Sequence, residues 1–260
     1  MDFGKVWAIA IKDLLEVFSS PSIYGPMLGV PLFFAIVLPF LTFYVAQYGA
    51  PQLASKIAAV PVALLGQSAT GGLIFMSFFA VSVLGPIFLT MPIFTATVIA
   101  ADSFAGEKER KTSEALLATP VSTGELLLGK VMASFIPAVL LTLMIFLIYG
   151  YTVNTLAIQS FHKGVLPTAP WLMMLLTAPF LAVAAIGLVV LVSSHVKGIK
   201  EAQQVSTILV LPILVMPFIS ILGLANLTVS FFSWVIVVLL IADTLILYIG
   251  VKTFRKENIL

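Results

Sequence analysis

The sequence predicts an all-α membrane protein: six transmembrane helices, an N-terminal amphipathic interface helix and a cytoplasmic coupling helix between spans two and three. Three observations predict it. Apolar residues make up 61% of the 260-residue chain and charged residues 9%, where a soluble domain carries about a quarter charged, so there is too little polar side chain to wrap a water-soluble core. Apolar runs near the roughly 20 residues needed to cross hydrocarbon recur along the chain. The charges are gathered into a few short connecting stretches, of which Asp102–Lys130 is the largest.

With the spans removed, only short connections remain, so residues 1–260 read as a single transmembrane domain. A net charge of +2 is too small to point to nucleic acid. Cysteine is absent, which excludes disulfides, a thiolate nucleophile and sulfur-ligated zinc. His162 and His195 stand far apart with no cluster of acids around them, so no metal site is expected.

Residues 1–20 open the chain. Phe3, Val6, Trp7, Ala10, Ile11, Leu14, Leu15 and Phe18 recur at steps of three and one, which draws an apolar stripe along a helix. Lys5, Lys12, Asp13 and Glu16 lie mostly off that stripe, and Pro21 stops the helix. With no soluble core to pack on, the segment reads as a helix lying in the membrane interface, Trp7 toward lipid, Lys12 and Glu16 on the polar side.

Spans follow near 24–46, 73–101, 131–153, 170–192, 205–222 and 231–251. Pro26, Pro31 and Pro39 are expected to kink or partly unwind the first, which bundle neighbours tolerate. The second is longer than one straight span needs, with bends expected at Gly85-Pro86 and Met91-Pro92. Residues 47–72 read as a mixed loop, 154–169 as polar and turn-rich, and the fifth span as short. Six spans return both termini to one side. With the N-terminus inside, the inner segments hold Lys5, Lys12, Lys108, Arg110, Lys111, Lys130, Lys197, Lys200, Lys252, Arg255 and Lys256, against Lys56 and Lys163 outside. Basic residues favour the cytoplasmic side of short loops, so the chain is expected in the cell membrane with both termini cytoplasmic and membrane lipid as a partner.

The segment 102–130 has its own grammar. Glu107 precedes Lys111 by four residues, the favourable order on a helix. Pro120 disfavours helical geometry at Thr119 and ends that helix. Ser122 and Glu125 then form an S-x-x-E capping box, with Val121 and Leu126 placed for a hydrophobic staple. Asp102 reads as a hydrated boundary residue and Lys130 as one that snorkels toward head groups. A short helix, a proline turn and a second helix joined rigidly to a span would transmit a push on the turn. The plainer alternative is a solvated inner loop.

The stretch AGEKERKTSEALLATPVSTGELLLGK resembles the cytoplasmic loop of the ABC type 2 transporter permeases. The resemblance rests on Gly106, Glu107, Lys108, Glu109, Thr112, Glu114, Leu116, Leu117, Thr119, Pro120, Ser122, Glu125, Gly129 and Lys130; Lys111 stands where a glycine is common. It implies the permease subunit of an ABC exporter, forming the translocation path. It implies a second permease subunit in a homodimer and two copies of a separate ABC ATPase subunit carrying ATP and magnesium. Contact with that ATPase would fall to Glu107, Lys108, Glu109, Arg110, Thr112, Glu114, Leu116, Leu117, Thr119, Pro120, Ser122 and Glu125, beside the interface helix with Trp7, Lys12 and Glu16. The family also often carries short re-entrant helices between its last two spans, which GLANLTVS could accommodate. No G-x-x-x-x-G-K-[ST] loop is present to cradle phosphate, so the chain is expected to be neither an enzyme nor the holder of a cofactor.

Asp243 lies inside the sixth span. An acid at that depth is costly and is a functional candidate, as a proton carrier, a partner for a base or a cation ligand; the plainer alternative is an acid facing a polar cavity or another helix's hydroxyls near the cytoplasmic side. The alternative function is therefore an ATPase-independent secondary transporter or channel using Asp243. An intramembrane enzyme finds no support, since HExxH, GxSxG and clustered acids are all missing.

Overall fold

The computed structural model describes residues 2–19, 21–48, 71–110, 121–193, 196, 198–205 and 207–253. Among these the chain is all helical: α1 (Phe3–Phe18), α2 (Pro21–Tyr48), α3 (Gly71–Glu109), α4 (Thr123–Phe161), α5 (Ala169–Ser193), α6 (Ile199–Val205), α7 (Thr207–Ile221) and α8 (Val229–Thr253). Six helical runs are long and apolar enough to cross a membrane, with α6 and α7 counted as one.

Several boundaries differ from those read in the sequence, each for a physical reason. α2 stays helical through Pro26, Pro31 and Pro39; away from water the backbone has no better partners than its own helical ones. α3 turns at Leu89, between the Gly85-Pro86 and Met91-Pro92 pairs expected to bend it, and extends past Asp102 to Glu109. It absorbs the extra length in two widened, π-helical turns at Phe79–Leu84 and Asp102–Gly106. α4 continues to Phe161 through residues expected to form a loop. Asn154, one of them, clamps the following turn instead: its Oδ1 accepts from the Val165 and Leu166 N–H groups at 2.9 and 2.8 Å, and its amide donates to the Leu166 carbonyl. Between Ile221 and Val229 the chain makes a turn through Gly223, at φ 70°, and no re-entrant helix.

α3, α4 and α5 build the centre. Phe88, Phe146, Tyr149 and Trp171 meet there, with ring centroids 4.7 Å apart for Phe88 and Tyr149 and 5.4 Å for Phe146 and Trp171. A widened turn displaces carbonyls from the ordinary helical ladder, and a buried carbonyl needs a donor. Both widened turns of α3 find one on α4. The Tyr149 hydroxyl donates to the Ala80 carbonyl at 3.0 Å, and the Lys130 ammonium donates to the Ser103 carbonyl.

α2, α7 and α8 form the periphery, with Phe33, Leu41, Phe218, Val238 and Leu245 exposed, as lipid-facing positions are. Exposed Tyr44, Tyr48 and Trp234 near one end and Trp7 and Tyr248 near the other mark the two aromatic belts of a spanning bundle. α1 crosses α4 at Gly129, where a Cβ would lie 2.8 Å from that of Ile9.

Tyr149→Phe keeps the ring and removes the donor to Ala80. Leaving that carbonyl unsatisfied should cost about 1–3 kcal/mol, read as a lower thermal midpoint of the purified protein in detergent; an unchanged midpoint would show that the widened turn needs no outside donor.

Candidate functional site

The charged residues of the sequence converge at one end of the bundle, where α1, the second widened turn of α3, the start of α4 and the start of α6 meet. The amphipathic stripe of α1 divides there in two. Val6, Ala10, Asp13 and Val17 are buried, while Phe3, Trp7, Ile11, Leu15 and Phe18 are exposed. The small residues let α1 lie against α4, and the large ones form an outward apolar face of the kind that suits a membrane interface.

Asp13, placed with the polar face in the sequence reading, is 4% exposed. It accepts from the Ser103 hydroxyl and sits 3.1 Å from the Lys12 ammonium. Lys12 also reaches Glu107 Oε1 at 3.2 Å and Glu16 Oε2 at 3.7 Å. Burial alone would lower the Lys12 pKa, but the carboxylates of Asp13 and Glu107 outweigh it and hold the pKa above the ordinary lysine value.

Lys130 does not snorkel to the surface. It is 2% exposed, pairs with Glu107 Oε2, donates to the Ser103 carbonyl and lies 5.1 Å over the Phe104 ring. The reason lies one residue earlier: the close approach of α1 at Gly129 roofs this face of α4. Asp102, expected in water, is buried as well, held by Arg110 Nη1 at 3.0 Å. Arg110 Nη2 reaches Glu16 Oε1 at 3.1 Å, so it bridges α3 to α1.

A second set of bonds ties the helix starts together. Ser122 caps α4: its Oγ accepts from the Glu125 N–H at 3.3 Å, and Glu125 Oε2 accepts from the Ser122 N–H at 2.9 Å. This is the capping box read in the sequence. Glu125 Oε1 accepts from the Asp2 N–H at 2.7 Å, while Asp2 caps α1 by accepting from Gly4 at 2.9 Å. On the other side, Glu109 Oε2 accepts from the Ile199 N–H at 3.0 Å at the first residue of α6.

Of the twelve residues proposed to meet an ATPase, the structure therefore brings Glu107, Glu109, Arg110, Ser122 and Glu125 into contacts within this chain, with Glu107 and Glu125 buried. Lys108 lies beside them, partly buried, and Glu109 is exposed. Thr112, Glu114, Leu116, Leu117, Thr119 and Pro120 lie outside the described residues, between the two braced flanks. Lys12 and Glu16 join the ion pairs, and Trp7 is exposed. Asp243 is remote from this cluster in sequence and sits in the α5–α8 seam. Asp13, Ser103 and the burial of Lys130 were missed. Their signal was the 6–10–13–17 spacing, a second stripe of small residues interrupted by one acid.

Lys130→Met leaves the Ser103 carbonyl without its donor and Glu107 without its nearer cation. Removing one partner of a buried pair costs about 3–5 kcal/mol; Lys12 still reaches Glu107, so the lower end is expected. The double variant Lys130→Met, Glu107→Gln should recover part of the loss. Thermal denaturation of the three proteins in one detergent checks both statements.

The sequence matches the family described as ABC-2 family transporter protein over residues 7–249. Among curated proteins, the ABC transporter permease protein NatB of Bacillus subtilis (strain 168) is 34% identical over 146 residues. That match covers 53% of this chain and 37% of the length of the relative.

Proposed function

The chain belongs to the ABC-2 transporter family, and from this premise we propose that it is the permease of an ABC exporter, driven by an ATPase on a separate chain. That it is a multi-pass membrane subunit of an ABC transporter follows from the family and from six apolar spanning helices. Direction, motor contact and assembly are the further reading.

One observation carries it. The segment between Glu109 and Ser122 is anchored at both flanks to several helices at once. Upstream, Glu107 and Arg110 fasten it to α1 and α4, and Glu109 fastens it to α6. Downstream, Ser122 and Glu125 fasten it to the start of α1. A load applied between those flanks is delivered to α3, α4, α6 and α1 together. A merely solvated loop has no use for such bracing.

In this reading the ATPase meets Lys108, Glu109, Arg110, Thr112, Glu114, Leu116, Leu117, Thr119 and Pro120, while Glu107, Ser122 and Glu125 hold the platform from within. Arg110 and Glu109 serve both tasks, since each is exposed while bonded inside the chain. ATP and magnesium reside on the ATPase. Two permease copies pair, and each docks one ATPase. The basic residues gathered at this end support its placement on the cytoplasmic side of the cell membrane, with both termini there.

Purification from the native membrane in mild detergent should bring along a Walker-motif ATPase in equal amount. Lys108→Glu with Glu114→Lys should reduce that recovery about tenfold, the effect of about 1.4 kcal/mol of lost contact, while the permease stays inserted and folded. Full recovery of the ATPase with the double variant would refute the docking assignment. Glu109→Ala should act differently: transport per ATP hydrolysed falls by more than ATPase recovery does, because α6 and α7 no longer follow the segment.

A further inference from the structure

α8 packs along α5, its main neighbour in the bundle. Gly187 makes the approach close, since a Cβ there would collide with Ile246. The inward line of α8 runs through Phe232, Leu239, Asp243 and Ile246, so the acid stands within the apolar seam. Asp243 is 6% exposed, and among the described residues neither carboxylate oxygen has a hydrogen-bond partner.

The surroundings offer no counter-charge. Between Ala169 and Ser193, α5 carries no acidic, basic or histidine residue, and no tyrosine. α4 faces the same seam one turn along through Leu127 and Val131. On α8 itself Tyr248 is exposed, and the next charge in the sequence, Lys252, is nine residues further, roughly 13 Å along a helix. Lys130 of α4 adjoins Val131 but is taken by Glu107 and the Ser103 carbonyl; between residues 131 and 161 of α4, and throughout α2, α5, α7 and the spanning part of α3, there is no Lys, Arg or His.

The neighbouring part of the seam is apolar. One turn beyond Asp243 an apolar cleft of about 30 Å³ lies among Val183, Gly187, Val190, Ile246 and Leu247. That is room for one water, but a water needs two or more polar partners to stay, and the cleft lining supplies almost none. An isolated carboxylate in such a place costs several kcal/mol.

We propose that Asp243 is a proton-binding site, occupied while α8 is closed on α5 and emptied when the seam opens to water. The ligand is the proton itself: closed, the group is a neutral carboxylic acid; open, the O–H bond breaks, the proton passes to water and the carboxylate is left hydrated. α8 is suited to part from the bundle because its remaining faces, at Trp234, Val238, Ile241 and Leu245, are exposed. A cycle that moves α8 then binds and releases one proton per chain. The proposal stands on this seam alone and does not depend on which protein drives the cycle.

The test uses the full chain in native membrane vesicles and a hydrophobic carbodiimide, which adds to protonated carboxyl groups in apolar surroundings. Peptide mapping by mass spectrometry should find the adduct on Asp243 at neutral pH. Its yield should fall roughly tenfold per pH unit once the group ionises, with no effect of added Na⁺ or K⁺ at fixed pH. Infrared spectra of the same vesicles should show a carboxylic-acid C=O band that Asp243→Asn removes, and that band supports the site even where the closed seam excludes the reagent. Absence of both adduct and band would overturn the proposal. An adduct suppressed by Na⁺ or K⁺ at constant pH would overturn it too, in favour of a metal-cation site.

Discussion

The arrangement depends on a constraint of the membrane interior: a backbone carbonyl that leaves the helical ladder must find a donor, because water is not there to supply one. α3 breaks its ladder twice, and α4 answers both times. Tyr149 serves Ala80 in the bundle centre, and Lys130 serves Ser103 at the charged end. These bonds fix the rotation and height of α3 against α4 at two levels. Lys130 carries more than a carbonyl, since its charge also meets Glu107 and the Phe104 ring. A buried ammonium is tolerable only with such a complete set of partners, and α1, laid over Gly129, excludes water from it.

From that fixed pair the rest of the charged end follows. Glu107 shares its two oxygens between Lys130 and Lys12, so α1 is held to the same point that holds α3 to α4. Asp13 closes the ring through Ser103, the residue whose carbonyl Lys130 takes. Each component is bonded across to another helix, and Glu107 to two. Individual surface pairs such as Arg110–Glu16 contribute little; the network gains its stiffness from the buried members. A rigid platform of this kind is what a coupling element between a motor and a set of spans requires.

The fold was largely legible because hydrocarbon thickness imposes a period that composition reveals, and the capping box of α4 was legible because it is a local pattern of four residues. The site was legible only in its sequence-local half. Glu107 was read against Lys111, its neighbour by helical spacing, whereas its described partners are 95 and 23 residues away. Asp13 looked like a polar-face residue because the large apolar stripe of α1 dominated the pattern; which of two stripes faces protein depends on side-chain size at a crossing, a tertiary matter. The prolines of α2 misled in the other direction, since rules learned in water overstate their power to break a helix where the backbone has no alternative partner.

The two ends of the problem contrast in how they treat acids. At the charged end Asp13, Glu16, Asp102 and Glu107 are met by Lys12, Arg110 and Lys130, and α1 and the widened turn of α3 are shaped around those meetings. In the α5–α8 seam a single acid has no cation and the packing makes no room for one. A chain that pairs its buried acids so thoroughly in one place shows that the means of neutralising them by ion pairing were available to it. Leaving Asp243 without one therefore assigns a different way of carrying the charge at that position, one that changes with the contact between α5 and α8.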